Sequence, residues 1–144
     1  MKKTLLLCIS LISIATLTTS CAEFFEDCLF WPAKPNIKTA SIPQGNVNTY
    51  YYTEIEAEIE NDPDDLNYYY DFDVEGELPY GLEYWTYDNI LIIEGTPQET
   101  GTFSFTVELY VEAPYRGNDD ESDDNNICLG NDITHKTFTL RVPN

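Results

Sequence analysis

From about residue 37 onward, apolar and polar positions alternate with a period of two. In the stretch YTEIEAEIE, Thr53, Ile55, Ala57 and Ile59 alternate with Glu54, Glu56, Glu58 and Glu60. This is the pattern of an antiparallel strand with one wet face. YYYDFDVEG repeats it, with Tyr68, Tyr70, Phe72 and Val74 on one side and Tyr69, Asp71, Asp73 and Glu75 on the other. FSFTVELYV turns Phe103, Phe105, Val107, Leu109 and Val111 inward, and FTLRV does the same with Phe138, Leu140 and Val142. NILIIEG reads as a shorter strand between turn signals, and no helical stripe appears after the first twenty residues. The breaks are Asn-Asp-Pro-Asp-Asp, Leu-Pro-Tyr-Gly and Gly-Thr-Pro, so the chain predicts an antiparallel β-sandwich of about seven strands. Gly81, Gly95 and Gly101 are expected in turn conformations that a side chain would hinder.

GTPQETGTF, residues 95–103, has the outline of a phosphate-binding loop but not its chemistry. Five residues separate Gly95 from Gly101, Pro97 removes an amide, and no lysine follows. The stretch belongs instead to a longer pattern: Leu78, Pro79, Gly81 and Leu82; then Ile93, Gly95, Thr96 and Pro97; then Gly101, Thr102, Phe103, Phe105, Thr106 and Val107. As a spaced set these residues resemble the immunoglobulin-like domain of bacterial surface proteins, related to cadherin-like and dystroglycan-type modules. The resemblance covers nearly all of residues 40–142 and implies an immunoglobulin-like sandwich. Its one departure is APYRGNDDESDDNNICLGND, at about 113–132, where the family has a short turn.

The N-terminus reads as an export signal. Lys2 and Lys3 precede the apolar run TLLLCISLISIATL, which is short for a membrane span, and TTSC follows. This resembles a bacterial lipoprotein signal covering residues 1–20, which would leave Cys21 as the lipidated N-terminus. Thr18 stands where that signal prefers Leu, with Leu17 one position further out. Ordinary cleavage after Ala22 is the alternative. The expected organisation is therefore a removed signal (1–20), a tether (21–36) and a sandwich (37–144). In lipoproteins of this kind, Ala22 rather than Asp after the cysteine implies the outer membrane; a periplasmic or secreted location is the alternative.

Charge narrows the partners. After residue 20 the chain carries 26 acidic residues against five basic ones, a formal charge of −21. Such a chain is repelled by nucleic acid and by anionic lipid surfaces. Disorder is excluded because 42% of the residues are apolar and 14% aromatic. Cys28 and Cys128 remain as an even pair in an oxidising compartment, so a disulfide is expected.

The insertion holds Asp119, Asp120, Glu121, Asp123 and Asp124. Charges this dense are either solvated or organised by a cation. Asp120, Ser122, Asp124, Asn126 and Ile127 approach calcium-loop spacing, but Asn125 replaces the usual glycine and Asn131 the bidentate glutamate. If strand directions alternate, Asp62, Asp64 and Asp65 share a pole with the insertion, and so does the N-terminus. Candidate calcium ligands are thus Asp120, Asp124, Asp62 and Asp64; no other cofactor is expected. Tyr50, Tyr52, Tyr69, Trp85, Tyr87 and Tyr110 can face outward, either as a glycan surface or as ordinary sheet-stabilising aromatics. A nucleophile–histidine pair would depend on His135, the single histidine, and no two carboxylates are singled out for glycosidic chemistry. The expectation is a non-enzymatic, lipid-anchored envelope protein that binds or assembles with an envelope protein or glycan. The alternative is a secreted carbohydrate-binding or calcium-dependent adhesion module.

Overall fold

The alternation of the sequence becomes an alternation of burial. The computed structural model describes residues 32–113 and 129–143. They form β1 (Lys34–Ile37), β2 (Tyr51–Glu60), β3 (Tyr69–Gly76), β4 (Leu82–Tyr87), β5 (Ile90–Gly95), β6 (Gly101–Glu112) and β7 (Ile133–Val142). Among the described residues, a 3-10 turn at Asp65–Asn67 interrupts the strands. Tyr51, Thr53, Ile55, Ala57 and Ile59 of β2 are buried, while the four residues between Tyr51 and Ile59 with side chains on the other face are not. β6 buries Phe105, Val107, Leu109 and Val111, and β7 buries Phe138, Leu140 and Val142.

All strand pairs are antiparallel. One sheet has the order β1-β2-β5-β4 and the other β3-β6-β7. The inner faces of the two sheets meet in one core, where Phe105 and Phe138 stack with ring centroids 5.9 Å apart. The chain is thus an all-β sandwich, with its strands partitioned in the order that seven-stranded constant-type immunoglobulin sandwiches use. β1 takes residues 34–37, so strand pairing reaches into the segment expected as tether.

The Leu-Pro-Tyr-Gly and Gly-Thr-Pro turns lie back to back. Thr96 N–H donates to Gly81 O at 2.9 Å, and Gln98 N–H donates to Tyr80 O at 2.9 Å. Gly81 and Gly95 have φ of +96° and +134°. A Cβ on Gly81 would lie 2.2 Å from Thr96 O, and one on Gly95 would lie 2.2 Å from Gly81 O. Both positions therefore exclude a side chain by conformation and by contact. Gly101 differs from the expectation. It opens β6 opposite Val142 without positive φ, and what would crowd a Cβ there is the Phe103 ring at 3.1 Å.

The strand directions gather several segments at one pole. Lys34 pairs with Glu60, Asn61 Nδ2 donates to Pro32 O at 3.1 Å, and Ala33 bridges Leu129 in parallel. Gly130 N–H then donates to Ala33 O at 2.9 Å. The start of the described chain, the connection after β2 and Leu129 and Gly130, near the end of the insertion, therefore meet. The opposite pole carries the starts of β2 and β6 and the two clasped turns.

Candidate functional site

The outer face of the four-stranded sheet divides into two halves of different chemistry. Register sets its rows: Lys34 beside Glu60, Asn36 beside Glu58, then Glu56–Ile90–Tyr87, Glu54–Ile92–Trp85 and Tyr52–Glu94–Glu83. The half nearer β1 largely balances its own charge, with two lysines against three glutamates. Lys34 pairs with Glu60 at 2.9 Å, and Lys38 lies 3.2 Å from Glu56 and 3.6 Å from Glu58. Asn36 Nδ2 donates to Glu58 Oε1 at 3.1 Å.

The half nearer β4 is built of rings and carboxylates. Tyr50, Tyr52, Trp85 and Tyr87 are 63%, 46%, 45% and 62% exposed, so each offers a ring surface to solvent. Glu94 ties two of them together: Tyr50 Oη donates to Oε2, and Trp85 Nε1 donates to Oε1 at 2.8 Å. The Tyr50 hydroxyl above all, then the Trp85 indole N–H, holds the Glu94 carboxyl below its ordinary range, so it stays ionised. The same bond to Glu94 pushes the Tyr50 phenol up. Tyr52 Oη donates to Glu54, which likewise raises that phenol. Ile92, on this outer face between Glu54 and Trp85, is nevertheless only 6% exposed, because large neighbours cover it. Ring tips bonded to carboxylates cannot swing freely, so the platform is preorganised.

Glu94 is the residue that sequence reasoning missed. It is the polar end of ILIIEG, and its role depends on strands that lie 44 and nine residues away. The available signal was chemical: a carboxylate flanked across two strands by Trp and Tyr. Reading it required the register.

The other aromatic candidates lie on the opposite sheet. Tyr69 pairs with Glu112, and Tyr110 pairs with Asp71. With Tyr70 they line an open pocket of about 220 Å³. Burial pushes the Tyr70 phenol well up, with Asp65 adding to the effect, and its hydroxyl donates to Asp65 O at 3.0 Å. His135 is exposed on the outer face of this sheet and pairs in register with Glu108.

Of the expected ligand residues, Asp62 lies at the pole that carries the start of the described chain, and its carboxylate is engaged internally. Its Oδ1 accepts the Asp64 N–H at 2.9 Å, and its Oδ2 accepts Tyr68 Oη at 2.7 Å. Asp64 is exposed beside it. Among the described residues no group of three His, Cys, Asp or Glu side chains is placed to hold a metal. Cys21, Cys28, Cys128, Asp120 and Asp124 lie outside the described residues.

No protein family and no curated protein matches the sequence. Solved structures do share the fold. A single-site variant of the endo-fucoidan hydrolase MfFcnA4, of glycoside hydrolase family 107, is similar at a TM-score of 0.51 and 16% identity, over 82% of this chain and 15% of that one. The endo-fucoidan hydrolase MfFcnA9 is similar at 0.51 and 18%, over 83% of this chain and 18% of that one. A putative alpha-galactosidase from Bacteroides fragilis is similar at 0.46 and 17%, over 76% and 17%. The chain thus spans less than a fifth of each of these proteins, and at such identities the likeness is one of fold alone: the chain is a β-sandwich similar to part of the two larger endo-fucoidan hydrolases.

Proposed function

We propose that this protein is a non-enzymatic, lipid-anchored module of the bacterial cell envelope, with one immunoglobulin-like domain that binds or assembles with a partner. One observation supports the reading: the described chain begins at one pole of the sandwich, and the platform lies toward the other. The described chain begins beside Glu60 and Asn61, whereas Tyr52, Glu94 and Trp85 lie toward the start of β2. A lipid on Cys21 would hold the first pole at the membrane and leave the platform pointing away from it. The strand order and the clasped Leu-Pro-Tyr-Gly and Gly-Thr-Pro turns support the immunoglobulin-like assignment.

A second reading, a carbohydrate-binding module, is favoured by four exposed rings on one sheet face and by folds of this kind inside glycoside hydrolases. The two readings separate on anchorage and partner. Labelled palmitate should enter the wild type and not Cys21→Ser, which should leave the membrane fraction, since each buried methylene of the lipid contributes ~0.8 kcal/mol. A wild type that takes up no label and fractionates as soluble protein sinks the anchored reading. Pulldown from solubilised native membranes then identifies the partner class.

A further inference from the structure

The two halves of the four-stranded face differ in one respect that selects a ligand. The chain supplies its own cations on the β1 side, where Lys34 and Lys38 engage Glu56, Glu58 and Glu60. On the β4 side, Glu54, Glu83 and Glu94 share the surface with four exposed rings, and no described lysine or arginine makes an ion pair there. We propose that this half is a docking site for a cationic, extended segment of a partner protein, with arginine or lysine side chains placed over Trp85 and its neighbouring tyrosines and balanced by Glu94. The proposal rests on the reading of the protein as a binding module and names the chemistry of its partner.

Three observations favour a cation over a neutral sugar. Each Glu94 oxygen already accepts one donor, the Tyr50 hydroxyl or the Trp85 N–H, which takes up about half of the carboxylate's acceptor sites but leaves its full charge in place. The four aromatic residues remain exposed, and a guanidinium or ammonium binds the face of an indole or phenol by its quadrupole. The chain's charge of −21 after residue 20 draws cations toward any such surface and does nothing for an uncharged glycan. Geometry fixes the extended form. Trp85 and Tyr87 are alternate residues of one strand, about 6.8 Å apart, which is also the spacing of alternate side chains in an extended peptide. Among the described residues β4 is an edge strand, so a segment laid along it can also pair with its outer backbone edge.

The test uses the lipid-free mature chain and three probes, measured by titration calorimetry: acetyl-Thr-Arg-Thr-Arg-Thr-Arg-amide, the same peptide with Gln for Arg, and neutral oligosaccharides. The arginine peptide should bind and the glutamine peptide should not. Trp85→Ala should weaken binding about fivefold, the size of a cation–ring contact, and Glu94→Gln, which removes the balancing charge, should weaken it by a similar factor. Tyr69→Ala, on the opposite sheet, should leave affinity within about twofold. Circular dichroism checks that each variant is folded, and Glu94→Gln, which keeps the side chain's shape, serves if Trp85→Ala is not. Equal binding by all variants would mean diffuse charge attraction and overturn the site, as would no arginine-peptide binding at all. Oligosaccharide binding lost in Trp85→Ala would overturn the cationic ligand while leaving the binding-module reading intact.

Discussion

Phe105→Ala probes the assignment of faces most sharply. Phe105 is 1% exposed, sits in register between Gly76 and Phe138, and stacks on the Phe138 ring at 5.9 Å. Burying such a ring contributes about 1.5–3 kcal/mol by transfer alone. Removing it also forfeits an aromatic pair of ~0.5–1.5 kcal/mol and opens a cavity that β6, held on both sides, cannot close. The expected loss is therefore ~3–5 kcal/mol, a large share of the ~5–15 kcal/mol that holds a typical domain together. Thr106→Asp, one residue on, is the internal comparison. It loses the Thr106–Thr137 hydroxyl contact at 3.0 Å and sets a carboxylate opposite Glu75, for about 1 kcal/mol. Urea unfolding followed by circular dichroism separates the two. With a slope of about 2 kcal/mol per molar, Phe105→Ala should lower the midpoint by about 2 M and Thr106→Asp by about 0.5 M. Equal losses in the two variants would refute the in/out alternation on which the fold and the site both rest.

Cys28 and Cys128 should be bonded, as an even pair whose nearest described neighbours, close to Ala33 and Leu129, are joined by a bridge. Peptide mapping without reductant should recover the linked pair, and Cys28→Ser should cost up to ~4–5 kcal/mol, while free thiols at both positions would remove the bond. Alkaline titration followed by phenolate absorbance should show Tyr50, Tyr51, Tyr52 and Tyr70 ionising above the ordinary value of 10.0. Their folded-state values are raised, so the stability they contribute is complete below pH ~10 and is lost as pH climbs through the folded values. A fold whose stability is flat from pH 9 to 12 contradicts those raised values. Millimolar calcium should raise the melting temperature if the acidic insertion is a site, and the Asp120→Asn/Asp124→Asn double variant should abolish the rise; no rise in the wild type leaves a solvated loop.

Alternation was legible in the sequence because a side-chain period of two admits one arrangement that buries Ile55, Ala57, Val107 and Leu140 together. The two turn glycines were legible for a related reason: at Gly81 and Gly95 the backbone adopts angles that other residues resist. Gly101 was misplaced because its constraint comes from the Phe103 ring folding back, and residue type carries no trace of that. The candidate aromatics could likewise be named from the sequence, but not sorted. Tertiary structure put Tyr50, Tyr52, Trp85 and Tyr87 on one sheet and Tyr69 and Tyr110 on the other. It also made Glu94 the residue that joins Tyr50 to Trp85, since a carboxylate meets partners 44 and nine residues away only once register brings three strands side by side.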